Sequence, residues 1–169
     1  ALLDAGSFTE FAPPEARLTS PHLRELDQPA AFDDGVVVGQ GLLQGGPVLI
    51  AAQEGAFMGG AVGEVHGAKI TGLLERAVAE HVPVLLMLES GGVRLHEANA
   101  GIIAVSEIMR AILACRAAAV PVIVLNGGRT GVFGGMGIAA CLCDAVIMSE
   151  EARLGLSGPD VIETTMGVE

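Results

Sequence analysis

An α/β fold built from successive βαβ units is the class this sequence predicts, and three observations predict it. Short apolar runs of strand length alternate with segments whose apolar residues recur at helical spacing. Glycine or proline closes each run. The residues are 51% hydrophobic but only 3% aromatic, with 24 glycines, a mix that suits helices packed closely on a parallel sheet. At 169 residues the chain is long enough for one compact domain, which buries roughly 70% of the surface its unfolded form exposes.

Residues 1–34 are rich in Pro and Asp and hold no sustained period, so they read as an arm, with a short helix over 20–26, that packs on a partner. The domain proper is taken as 35–169. Its first runs, 36–43 and 48–53, are joined by Gly45-Gly46-Pro47 and read as an antiparallel pair. After glycines 59, 60 and 63, the spacing of Ile70, Leu73, Leu74, Ala77 and Val78 predicts a helix over 69–79. Pro83 ends it, and 84–88 follows as a fully buried strand. The unit recurs as a helix carrying Ile102, Val105, Ile108, Met109 and Ile112, then Pro121, then a strand over 122–125. A third copy runs from the glycine loop 127–135 through a helix ending near Cys143 into a strand at 145–148. Parallel pairing with right-handed crossovers stacks such units. It also brings loops 90–97 and 127–135 to the carboxyl ends of strands, where open α/β sheets place ligands.

Charge and motif content remove several function classes. The net charge is -11 and the nine Lys and Arg residues are scattered, so a nucleic-acid footprint is not expected. Cys115, Cys141 and Cys143 lack a paired CxxC spacing and read as buried free thiols of a reducing, cytoplasmic compartment; no metal is expected. No apolar run reaches the roughly 18 to 20 residues of a membrane span, and the first residues do not resemble a signal peptide. The phosphate-loop pattern GxxxxGK[ST] and the hydrolase elbow GxSxG are both missing.

Two glycine segments carry the candidate chemistry. Glu89-Ser90-Gly91-Gly92-Val93-Arg94-Leu95-His96-Glu97 follows a buried strand and precedes a helix. Adjacent glycines there let backbone N–H groups face a ligand carbonyl without a Cβ in the way. Thr130-Gly131-Val132-Phe133-Gly134-Gly135-Met136-Gly137 opens the next helix, where free N–H groups and the helix dipole favour negative charge. Together they form a two-donor hole for an oxyanion; the same glycines also serve tight turns and close packing, and spacing alone does not separate these roles. Arg94 is placed either to bind a carboxylate or to pair with Glu97 three residues on. His96 is placed to donate a proton or to cap the following helix. Lys69 either meets a phosphate of a carrier arm or is a solvated lysine at a helix start.

The run Gly59-Gly60-Ala61-Val62-Gly63-Glu64-Val65-His66-Gly67, the element SGGVRLHE at 90–97 and Gly158-Pro159-Asp160-Val161-Ile162-Glu163 resemble the carboxyltransferase domains of biotin-dependent acyl-CoA carboxylases, over residues 55–165. Within that group the opening Leu2-Leu3-Asp4-Ala5-Gly6-Ser7-Phe8 and the loop Asn126 through Met136 are most similar to the beta subunits of biotin-independent malonate decarboxylases. The four-cysteine zinc ribbon of the bacterial acetyl-CoA carboxylase homologue is not seen, and that family's beta subunit continues well past the position of Gly158-Pro159.

The resemblance implies a crotonase-like fold and decarboxylation of malonyl-S-acyl-carrier-protein to its acetyl form and CO2. The cofactor it implies is the CoA-derived, phosphopantetheine-type arm of the carrier, none being bound directly. Implied partners are a homologous gamma subunit that completes the site, the acyl carrier protein and an acyl-carrier transferase subunit. The alternatives are a carboxyltransferase subunit of a biotin enzyme and a noncatalytic scaffold. Through the wider crotonase superfamily, the middle glycine of a GGGxxxAxxCD-like helix start falls on Gly135 as an oxyanion donor, with Gly134 beside it and a second donor from Gly91 or Gly92. The acid that hydratases carry three places on is Ile138 here, which argues against hydration.

Overall fold

The computed structural model describes residues 2–16, 18–20, 24, 35–97 and 99–167. One six-stranded mixed sheet organises them, with strands in chain order across it. These are β1 (Thr9–Phe11), β2 (Val36–Leu43), β3 (Gly46–Gln53), β4 (Val84–Met87), β5 (Val122–Asn126) and β6 (Ala145–Met148). The pairs β1–β2 and β2–β3 are antiparallel, and β3 through β6 run parallel. The crossovers carry α1 (Glu64–Glu80), α2 (Asn99–Ala117) and α3 (Gly134–Leu142), and a last helix, α4 (Pro159–Met166), follows β6.

The hairpin β2–β3 turns at Gln44 and Gly45, both at positive φ (51° and 79°), as a tight connection of antiparallel strands requires. Asp4 holds this turn from outside: its two carboxylate oxygens accept the N–H groups of Gln44 and Gly45 at 3.0 and 2.8 Å. The first residues therefore dock on their own sheet, through β1 and through Asp4. The expected helix over 20–26 lies almost wholly outside the described residues.

The main core lies between the sheet and its helices. Leu49, Ala51, Val84, Leu86, Val122 and Val124 face Ile70, Leu74, Ile108, Ile112, Met136 and Ala139 in one cluster. Among the described residues the opposite face holds the small group Val48, Ile50 and Leu85, with Leu3 and Ile123 packed against it. β4 is thus buried toward the helices, while Met87 is 38% exposed, so the strand is not buried throughout as its apolar run implied. At roughly 25 cal/mol per Å² of apolar surface, the one-sided cluster is the main source of stability.

α1 begins five residues before the expected 69. Gly67 sits inside the helix where a Cβ would overlap Ala104 of α2. The glycine is there for helix contact, and the helix runs through it. Beyond the sheet, the chain pairs a second time: Val62 bridges Val93, Ser90 bridges Val132, and Val132 bridges Leu154, all parallel. This short upper ladder ties together the segments that follow β3, β4, β5 and β6, and it builds the floor of the site.

Candidate active site

The two glycine segments meet in that upper ladder. Ser90 N–H donates to the Gly131 carbonyl at 2.8 Å and Phe133 N–H to the Ser90 carbonyl at 2.8 Å, so the segments run side by side. Gly92 (φ 121°) and Gly134 (φ 60°) face each other so closely that a Cβ on Gly134 would lie 3.3 Å from the Gly92 Cα. The positive φ strains any other residue at both positions.

The backbone N–H groups of the two segments differ in whether the fold already pairs them. Gly91 N–H is spent on the Gly59 carbonyl at 2.7 Å, and Gly134 N–H on the Leu156 carbonyl at 3.0 Å. Neither is an available donor; both shape the loops. Gly92 N–H reaches only the Ser90 hydroxyl, at 3.2 Å. Gly135, second residue of α3, has no acceptor for its N–H among the described residues, as the first turn of a helix leaves it. Val93 N–H is also without one. Because Gly92 O and Arg94 N–H bond Val62 on either side of Val93, its own N–H faces away from Val62. Val93 was not singled out from sequence; the residue after a glycine pair carries no signal of its own.

Around this floor the other candidates separate. Arg94 is buried at 1% exposure, with Nη1 3.3 Å from Glu97, Nε donating to the Ala61 carbonyl at 2.8 Å and the guanidinium stacked over Phe57 at 5.1 Å. The ion pair with Glu97 that fixes the loop is present. Glu97, itself fully buried, also accepts Glu64 N–H at 2.6 Å at the start of α1. Lys69 is not at a helix start: it lies half-buried in the second turn of α1, and Nζ donates to the Val36 carbonyl at 2.6 Å. His96 is exposed in a short 3-10 turn and makes no hydrogen bond among the described residues, so it does not cap α2 there.

The thiols stand apart from the glycines. Burial pushes the Cys143 thiol up to about 12 and raises that of Cys115, with the Asp144 charge adding to both. Neither is a nucleophile at neutral pH. Cys141, expected to be buried, is exposed on the outer side of α3. Among the described residues no helix is long and apolar enough to cross a membrane.

Glu89 was quoted in the motif but given no role. Its Oε1 accepts Thr130 N–H at 3.0 Å, linking the end of β4 to the loop that leads to Gly135. An acid just after an apolar strand, close to two glycines, was the signal that could have found it.

Comparison with known proteins gives a consistent picture. The carboxyl transferase domain family matches residues 1–169. Malonyl-S-ACP:biotin-protein carboxyltransferase of Malonomonas rubra is 45% identical, over 98% of this chain and 57% of its own length. Acetyl-coenzyme A carboxylase carboxyl transferase subunit beta of Fusobacterium nucleatum is 32% identical, over 98% of this chain and 56% of its own. Among solved structures, a Pseudomonas malonate decarboxylase hetero-tetramer in complex with malonate superposes with a TM-score of 0.92 at 51% identity, over 96% of this chain and 60% of that one. The chain thus spans somewhat more than half the length of these relatives. The expected crotonase-like stacking of βαβ units stands.

Proposed function

The chain belongs to the carboxyl transferase domain family, and from that premise we propose that it forms part of a malonate decarboxylase subunit acting on malonyl-S-acyl-carrier-protein. The observation that carries this reading is the Gly135 N–H at the start of α3, without an acceptor among the described residues and next to Gly134, which abuts the Gly92 turn. Loss of CO2 from a malonyl thioester leaves the bonding electrons on the thioester carbonyl oxygen, as an enolate. The requirement is for fixed donors at that oxygen, and no nucleophile is needed. Gly135 supplies one donor, and the Gly92–Val93 stretch supplies the second. Gly91 and Gly134 hold the two loops in register, and the partial positive end of α3 adds to the field at the oxygen.

Leu95, Ile138 and Leu156, adjoining these loops along the chain, are 85%, 48% and 69% exposed. Such an apolar rim supports a second, homologous subunit closing the site. The solved relatives named malonate decarboxylase are a hetero-tetramer and a hetero-dimer, which supports the same arrangement. The acyl carrier protein, its phosphopantetheine-type arm and a transferase that loads it complete the system, and three unpaired cysteines go with a cytoplasmic setting.

The test is to purify the chain with its partner subunit and measure CO2 release from malonyl-S-carrier against malonyl-CoA. Release from the carrier substrate without biotin and without inhibition by avidin is the expected result; the chain alone is expected to be inactive. A second reading, transfer of the carboxyl group to a biotin protein, is favoured by the name of the Malonomonas rubra relative. It shares the enolate but demands that avidin abolish turnover. A scaffold role predicts that changes at Gly135 alter assembly and leave turnover of the assembled complex intact.

A further inference from the structure

A line of polar contacts crosses the carboxyl ends of three neighbouring strands. It starts at His66 of α1, wholly buried, whose Nε2 lies 2.9 Å from Nε2 of Gln53, the last residue of β3. Gln53 Oε1 accepts the Glu89 N–H at 3.0 Å, just beyond β4. The Glu89 carboxylate then accepts Thr130 N–H at 3.0 Å, in the loop after β5. The carboxylate fills a slot made for it: a Cβ on Gly55 or on Gly128 would overlap it.

No Lys or Arg lies within ion-pair distance of Glu89 among the described residues, so the acid is not there to balance a cation. Among the described residues its carboxylate is bonded to the backbone of Thr130, in the loop that enters α3 four residues later. The loop has no regular structure of its own over 127–130, and its Gly127 and Gly128 resist no bending. From Gly131 onward the upper ladder takes over, through Ser90 N–H to the Gly131 carbonyl and the Ser90–Val132 bridge. Glu89 thus anchors the free end of the segment whose other end presents Gly135.

We infer that Glu89 is a positioning residue of the site proposed above: its carboxylate clamps the 127–130 loop to the end of β4 and thereby sets where α3 aims the Gly135 N–H. The inference rests on the oxyanion reading of Gly135 for its catalytic consequence, but the clamp itself has a separate readout. Glu89→Ala removes the acceptor. Glu89→Gln keeps an oxygen of the same reach and discards the charge and any proton-transfer capacity.

Both variants are assembled with the partner subunit, checked for thermal stability, and compared by amide hydrogen exchange over 127–135 and by kcat and KM for malonyl-S-carrier. In Glu89→Ala, Thr130 exchange is expected to rise and kcat to fall by about tenfold to a hundredfold, the size of one lost bond to a charged acceptor, with KM changed by less than roughly threefold. Glu89→Gln is expected to stay within about threefold of wild type in both exchange and kcat. Unchanged Thr130 exchange in Glu89→Ala overturns the clamp. A Glu89→Gln variant as slow as Glu89→Ala, with its loop still protected, also overturns it, because the acid then works by charge or proton transfer. If the wild-type complex releases no CO2 from the carrier substrate, the proposed function fails, and the exchange comparison alone decides the clamp.

Discussion

Removing a single N–H at residue 135 between two variants that share a Cβ separates catalysis from packing, and the structure shows how to do it. Gly135→Ala alone is confounded, since the new Cβ would lie 2.7 Å from Cγ1 of Val105, a buried residue of α2. Val105→Ala clears that space at a cost of about 1.6 kcal/mol for two methyl groups, before the incoming Cβ refills part of it. In that background Gly135→Ala and Gly135→Pro both carry a Cβ, and only the proline lacks the N–H. Proline is tolerated in the first turn of a helix, and here the N–H it deletes has no acceptor in the fold. The two double variants should therefore differ in melting free energy by less than about 1 kcal/mol. Their transition states should differ by about 2.7 to 4 kcal/mol, a hundred- to thousand-fold in kcat. Affinity for the carrier should be nearly equal, because the bond strengthens only as charge develops. The assay is CO2 release from malonyl-S-carrier by the assembled complex, with carrier binding measured separately. Equal kcat in the two, or losses that track melting temperature, would refute the oxyanion assignment. Gly137→Ala is not a usable control, because its Cβ would meet the Gly155 backbone carbonyl at 2.5 Å.

The remaining predictions concern stability and reactivity. Glu97→Ala leaves the buried Arg94 guanidinium without its carboxylate and Glu64 N–H without its acceptor, and should cost about 3 to 5 kcal/mol in chemical denaturation. Glu80→Ala, which breaks the exposed Arg76–Glu80 pair, should cost under about 1 kcal/mol by the same measurement. A maleimide at pH 8 should label Cys141 rapidly in the folded protein and leave Cys115 and Cys143 unlabelled until denaturant is added, as read by peptide mass spectrometry. Cys143 makes folding pH-dependent: its folded thiol is raised from 9.0 to about 12, so the unfolded chain releases this proton first and stability falls as pH climbs from 9 toward 12. Cys143→Ala should flatten that decline in melting temperature, and an unchanged decline would assign it to other groups.

How far the sequence carried this reading depends on whether a feature is local or belongs to contact between segments. β2 and β6 fall where their apolar runs predict, because Gly35, Gly45 and the turn before Ala145 punctuate the chain within a few residues of each strand. Pro83 and Pro121 stand directly before β4 and β5 and mark the same boundaries. The Arg94–Glu97 pair was legible for a similar reason, since an i, i+3 spacing nearly settles the contact. The start of α1 was not, because Gly67 answers to Ala104 on another helix. Cys141 fails for a finer reason: in a helix this short and apolar throughout, sequence does not show which side meets the core, and residue 141 lies off the face that buries Ala139 and Ala140.

The choice of donors is wholly non-local. Gly91 and Gly134 match the motif as well as Gly92 and Gly135 do, and only the carbonyls of Gly59 and Leu156, distant in the chain, remove their N–H groups from use. Glu89 shows the same logic in the opposite direction. Nothing in the order of residues says that Gly55 and Thr130 converge on the Glu89 carboxylate while Gln53 takes the Glu89 N–H; parallel pairing of β3, β4 and β5 brings them there, since it puts all three strand ends on one edge of the sheet. A motif search therefore finds the loops that make such a site, while the division of labour inside them is set by which backbone groups the rest of the fold has already paired.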